Sequence, residues 1–383
     1  MAAARRLLAR WKGRPARRPS RLIHRAGWRA GLLPALLLLA GCSSIGPATI
    51  PRDRTDYISS VAESWKQQTL LNIVRVRYGD APSFLEVSSV VNSYTLQGQV
   101  SAGAVFNSDR TASLPERSLS IGAGAAYQDR PTISYTPLAG DKFAKSMLRP
   151  IPPSAIFQLV QAGYPAENVL LLTVRSLNGI FNRVTSGGQG RPADPRFYAI
   201  LDALGRLQAS GSASLRIEKR GGEDVGVLVL TPSRSPEVNR DLKFLSDTLN
   251  LRPGRNNEFD VVFGATQRND RELAVLSRSM TEILVELAGG IEVPPEHVAR
   301  GRTVPAARLS TAEDRRDRPV VRVLSGASPP AGAYSAVSYR GTWYWVDDHD
   351  FASKRVFTFL MMFFSLAETG VSSKAPTLTL PVN

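Results

Sequence analysis

Residues 212–230 read SASLRIEKRGGEDVGVLVL. Two runs, 212–219 and 225–230, flank Gly221-Gly222, and a Gly-Gly pair between extended runs predicts a β-hairpin. A helix follows over 236–249, with Val238, Leu242, Leu245 and Leu249 along one stripe. A strand is expected over 259–263. Hairpin, helix and strand in this order lay helices on one face of a mostly antiparallel sheet, which is an α+β architecture. The order returns near the C-terminus, with strands over 320–324, 334–339 and 342–346, a helix over 351–367 and a terminal strand near 377–380. Without gaps, 225–251 lies over 340–366, so that Gly226 meets Gly341, Leu228 meets Trp343 and Leu230 meets Trp345. Identities are few, and duplication and coincidence both stay open.

Working outward, Phe197, Ile200, Leu201, Leu204 and Leu207 predict an amphipathic helix. A buried strand is expected over 169–174, a helix from Pro153-Ser154 through Gln161, and a short helix over 141–148. Asp270 is read as the start of a helix carrying Leu273, Leu276, Met280, Ile283 and Leu284, closed by Gly289-Gly290. Residues 292–318, with the run EDRRDR at 313–318, read as a solvated linker.

The region 94–127 has a different period. The even positions from Tyr94 are Tyr94, Leu96, Gly98, Val100, Ala102, Ala104 and Phe106; the odd ones are small or polar. After a polar loop, Leu119, Ile121, Ala123, Ala125 and Tyr127 alternate with Ser118, Ser120, Gly122 and Gly124. Such alternation predicts a long β-hairpin with one apolar face. Strands that cross an outer membrane need about 9–11 residues of this pattern, and one hairpin alone leaves open edges. Two readings follow: a hairpin lying over a soluble core, or one that several subunits pool into a barrel. Pro131 to Leu138 reads as a further strand, and a helix from Asp56 to about Arg77, with Ile58, Val61, Trp65, Leu70, Ile73 and Val74 as its stripe, precedes the hairpin.

The N-terminus carries ten basic residues and no acid before an apolar run, Leu32 to Ala40, that ends in Leu39-Ala40-Gly41-Cys42. A basic segment, a short apolar stretch and small residues form a secretory signal. The last four residues resemble the lipobox of bacterial lipoproteins. That resemblance implies a diacylglyceryl group on the Cys42 thiol, cleavage before Cys42, and acylation of the new amino terminus. Several acyl chains together anchor stably. Ser43 and Ser44 resemble the sorting pattern of outer-membrane lipoproteins, which implies a periplasm-facing protein of a Gram-negative envelope. The expected divisions are a signal peptide over 1–41, a tether over 42–55, a helix and hairpin region over 56–150, an α+β domain over 151–291, the linker over 292–318 and a C-terminal unit over 319–383.

The chain's 48 basic and 33 acidic residues give a formal +15. Without the ten leader residues the balance is 38 against 33, a +5 that argues for solubility and against nucleic acid as a partner. Cys42 is the only cysteine; once lipidated it leaves no thiol for disulfides or cysteine-bound zinc.

Asp347-Asp348-His349-Asp350 is the one cluster able to offer metal ligands or acid–base groups. It lies between an expected strand and helix, where aspartate also serves as an N-cap. Trp343 and Trp345 share one strand face and Tyr344 the other, as a core or a binding surface. The remaining mature histidine, His297, falls in the expected linker. No nucleophile elbow, phosphate loop, zincin helix or dinucleotide fingerprint occurs, so neither catalytic residues nor a cofactor are expected. The expected role is structural, in assembly or partner binding at the envelope. The alternatives are a pore subunit contributing the 94–127 hairpin to a homo-oligomer, and an envelope hydrolase using Asp347, Asp348, His349 or Asp350.

Overall fold

The computed structural model describes residues 45–91, 93–106, 117–185, 190–252, 254, 256–307 and 318–368. The signal segment, Cys42 and the expected terminal strand lie outside them. The chain divides after Tyr57 into two units: one of which 45–57 are described, and Ile58–Asn383.

Helix α1 is Ile45–Arg77. The stretch expected as a tether is therefore helical from residue 45 onward. Pro47 falls in the first turn, where its missing N–H removes no helical bond. Pro51 lies inside the helix, and the Thr55 hydroxyl donates to its carbonyl at 2.9 Å. Of the expected stripe, Leu70, Ile73 and Val74 enter the core, whereas Ile58 and Val61 are exposed.

Four strands follow: β1 (Leu85–Val91), β2 (Tyr94–Phe106), β3 (Arg117–Asp129) and β4 (Thr132–Pro137). A short helix α2 (Gly140–Phe143) runs into a π-helical turn at Ala144–Leu148. Helix α3 is Pro153–Gln161 and α4 is Ala166–Thr173. Only at Val174 does the chain extend, as β5 (Val174–Leu177), which hairpins into β6 (Ile180–Phe181). The expected strand at 169–174 is thus mostly helix. A fully buried apolar run has no period to tell the two apart; Pro165 opens the helix, and the Thr173 hydroxyl bonds back to the Val169 carbonyl at 2.7 Å.

Helix α5 (Pro195–Ala209), β7 (Ala213–Arg220), β8 (Glu223–Leu230), α6 (Pro236–Thr248) and β9 (Glu258–Phe263) follow the expected hairpin–helix–strand order. Strand β10 (Glu272–Ser277) replaces the first half of the helix expected from Asp270. The helix proper, α7 (Met280–Gly289), starts at a capping box in which Ser279 and Glu282 exchange bonds. Leu273, Ala274 and Val275 are all buried, so this run too is covered on both faces.

Strands β5 to β10 form one six-stranded sheet in the order β6-β5-β10-β9-β8-β7, antiparallel except for the pair β9–β10. Leu215, Leu228 and Phe259 sit opposite one another across β7, β8 and β9 and face the core with Val261, Leu273 and Val275. The other face, at the β7–β9 end, carries Arg216, Glu218, Arg220, Glu258 and Asp260, joined by ion pairs of 2.7–3.0 Å. At that end the sheet is charged on one face and apolar on the other, while β10 is covered on both.

The segment read as a solvated linker instead holds a short helix, α8 (Pro295–Ala299), whose His297 is buried. Residues 308–317 lie outside the described residues. A three-stranded antiparallel sheet follows, of β11 (Leu324–Gly326), β12 (Ser335–Tyr339) and β13 (Thr342–Val346), in the order β11-β13-β12. Helix α9 (Phe351–Glu368) buries Val356, Phe357, Phe359, Leu360, Phe363 and Phe364. One continuous core joins α1, the six-stranded sheet and its helices, and α9. The fold is α+β with mostly antiparallel sheets, and none among the described residues closes into a barrel. No described helix is long and apolar enough to cross a membrane.

Candidate functional site

Strand β2 pairs with β3 from Tyr94↔Asp129 to Phe106↔Arg117 without a slip. Strand β4 pairs with β1, not with its neighbour β3, from Val91↔Thr132 back to Leu85↔Pro137. The Arg130 N–H donates to the Ser93 carbonyl at 3.0 Å and carries the same register between the two ladders. The four strands are therefore one hairpin ribbon, rooted at Leu85 and Pro137. It is longer than the alternation at 94–127 announces. At about 3.4 Å per residue it extends roughly 70 Å.

Opposed residues share a face. One face holds Val90/Ile133, Leu96/Tyr127, Val100/Ala123, Ala102/Ile121 and Ala104/Leu119. The other holds Thr95/Gln128, Gln97/Ala126, Gln99/Gly124, Ser101/Gly122 and Gly103/Ser120. A bulge at Ser88 shifts the parity of β1. Because of it, Leu85 and Val87 stay on the apolar face even though their positions are odd, while Val90 and the apolar residues of β2 are even. One extra residue in a strand is what makes this correction possible. The Ser88 hydroxyl secures the bulge by donating to the Ser134 carbonyl at 3.0 Å.

The apolar face is open to solvent: Val100 is 80% exposed and Ile121 73%. Strand β2 has no charged residue, and those of β3, Arg117 and Asp129, are its first and last. Tyr94 and Tyr127 stack at the root end with ring centroids 6.2 Å apart.

The root is clamped. Gln68 and Asn72 lie one turn apart on α1 and each pairs with backbone in both directions. Gln68 accepts from the Leu85 N–H at 2.6 Å and donates to its carbonyl at 3.2 Å; Asn72 does the same to Ser83, both at 2.8 Å. Lys142 pairs with Glu86. Phe84 and Leu138 on either side of the ribbon are buried, and the Phe84 ring lies 5.3 Å from that of Phe364.

Two buried polar clusters hold the body together. The Tyr78 hydroxyl lies 2.6 Å from His297 Nδ1 and 2.5 Å from the Tyr344 hydroxyl. Burial, then the bond to Tyr78, raises the Tyr344 hydroxyl far above the usual phenol range. His297 thus belongs to the core, which its position among linker-like residues hid. Beside it, Tyr339 and Arg340 both donate to Asp80, and the Tyr339 bond is the chief cause holding that carboxyl below its ordinary range. In the second cluster, Arg278 donates to the carbonyls of Leu171 and Leu172 at 3.0 and 2.9 Å and to that of Arg183 at 2.8 Å. It so closes the C-terminal end of α4, with Glu286 3.7 Å away. Desolvation lowers the Arg278 pKa.

The cluster at 347–350 spends its side chains locally. Asp350 accepts from the Ser353 N–H at 3.1 Å and the Ser353 hydroxyl at 2.7 Å in the first turn of α9. Asp348 pairs with Lys354 at 2.7 Å, and Asp347 with His349 at 3.1 Å. The His349 side chain is 97% exposed. Among the described residues no three His, Cys, Asp or Glu side chains gather as a metal site. Tyr344 points into the core, while Trp343 and Trp345 are half-buried on the opposite face. The search for related proteins found no family model, no curated protein and no solved structure that matches the chain.

Proposed function

We propose that this chain is a lipid-anchored subunit of the Gram-negative outer membrane that assembles with copies of itself, each contributing its 85–137 ribbon to a shared transmembrane β-barrel. The anchor is Cys42, in the lipobox-like Leu39-Ala40-Gly41-Cys42. The observation that carries the reading is the long ribbon, apolar along one face and, from Thr95/Gln128 to Gly103/Ser120, polar without charge on the other.

An isolated two-stranded hairpin is at best marginally stable in water. Soluble proteins guard exposed strand edges with charge or proline. Strand β2 carries neither along its 13 residues. A second copy pairing at each edge satisfies the backbone, and ring closure removes the last edge. Lipid then meets Val100, Ile121 and their row, and water meets the glutamines and serines. Two strands per copy make the total even, as in bacterial outer-membrane barrels.

The test is purification of the acylated chain from outer membranes in mild detergent, followed by native mass spectrometry and planar-bilayer recording. A detergent-resistant homo-oligomer with stepwise conductance is expected. A monomer, with Val100→Cys fully labelled by a membrane-impermeant maleimide in intact outer membranes, overturns the reading.

A further inference from the structure

We infer that Gln97, Gln99 and Gln128 form the narrowest ring of the barrel lumen, and that this ring passes uncharged polar solutes, selecting by size and hydrogen bonding. The inference rests on the barrel reading above.

The polar face changes character along its length. In the half toward the root, each glutamine stands opposite a smaller residue: Gln97 opposite Ala126, Gln99 opposite Gly124, and Gln128 opposite Thr95. No described atom outside the chain neighbours of Gly124 lies within 4 Å of where its Cβ would be, so the Gln99 side chain does not fold over its partner. In the half toward the tip, the side chains lie flat. The Ser101 hydroxyl reaches the Gly122 carbonyl at 3.5 Å, and Ser120 reaches that of Gly103 at 3.2 Å. A Cβ on Gly122 would sit 2.7 Å from the Ser101 oxygen, and one on Gly103 2.9 Å from that of Ser120. The serines therefore occupy space that their partner glycines leave empty, and add little to the height of that face.

Long amides at one end and flattened hydroxyls at the other make a tapered lining once copies close into a ring. The taper narrows at the glutamines. An amide offers both a donor and an acceptor and no net charge. Pores that discriminate by charge place rings of carboxylates or of Lys and Arg at the constriction. On this face the nearest charge is Arg130, opposite Ser93 and one pair rootward of Gln128, while Asp129 and Arg117 pair with Tyr94 and Phe106 on the apolar face. The lining so suits neutral solutes rich in hydroxyl or amide groups.

The experiment is reversal-potential recording of the acylated full-length protein in planar bilayers under a tenfold KCl gradient. For the native chain a K⁺:Cl⁻ permeability ratio moderately below one is expected, because Arg130 flanks the glutamine band. Gln99→Glu should raise that ratio several-fold, whereas Ser120→Glu, in the wide half, should move it less. Gln97→Ala with Gln99→Ala should raise single-channel conductance and admit larger neutral polyethylene glycols. A strongly K⁺-selective native channel, or a larger effect at Ser120 than at Gln99, overturns the inference and leaves the barrel standing. Absence of channels from every variant overturns both.

Discussion

Arg278 and Tyr78 show how single side chains hold distant segments. Arg278 donates to three buried carbonyls, those of Leu171 and Leu172 at the end of α4 and of Arg183 beyond β6, sharing that of Leu171 with Asn182, and its charge answers Glu286. Arg278→Met removes the donor from these carbonyls and one of the two arginines facing Glu286, which keeps Arg183 at 3.8 Å and the Thr185 N–H at 2.9 Å, and a loss of about 3–5 kcal/mol is expected in urea denaturation. Tyr78→Phe leaves His297 Nδ1 and the Tyr344 hydroxyl without their shared partner. About 1–3 kcal/mol is expected there, read in the same assay. Asp80 supplies a pH signature. Its folded pKa is depressed, first by the Tyr339 hydroxyl, so its contribution is complete above its ordinary value of 3.8 and is lost as pH falls through the lower folded value. Asp80→Asn should therefore make the acid limb of the Tm–pH curve shallower, with no change in slope near neutrality.

At the scale of elements, the ribbon carries one inserted residue. Deleting Ser88 removes the bulge and sets Val87 directly before Ser89, so simple alternation keeps Leu85 and Val87 on the apolar face. The body should fold as before, since no described residue of 85–137 belongs to the hydrophobic core. The oligomer and its conductance should persist. Native mass spectrometry beside circular dichroism reads both; loss of the oligomer from the deletion variant with the body folded speaks against the apolar face as what drives assembly. The clamp is the second element-scale device. Gln68 and Asn72 stand one turn apart, so a single helix face addresses Leu85 and Ser83.

On the scale of the whole molecule, the body and the ribbon are energetically separate. The core runs from Leu70 to Phe364 but takes in only Phe84 and Leu138 from the two ends of the ribbon. Replacing 94–129 by a short Gly-Ser turn should leave Tm nearly unchanged and give a monomer on size-exclusion chromatography. Cys42→Ser tests the anchor independently: incorporation of labelled palmitate should cease.

Local chemistry in the sequence determined much of this protein. The two-residue alternation of β2 and β3, the Gly-Gly turn between β7 and β8, and the aspartate at the start of α9 are all readable, because each depends on residues within a few positions. The α+β class follows from their order. The runs at 169–174 and 270–284 were not separable into helix and strand, because burial on every side erases the periodicity that distinguishes them. Nor did the sequence place His297, which is buried by Tyr78 and Tyr344, residues 219 positions upstream and 47 downstream. Only the tertiary structure paired β4 with β1 and aligned one apolar face through the Ser88 bulge. Register across more than forty residues is set by how two strands meet, and no local pattern contains that information.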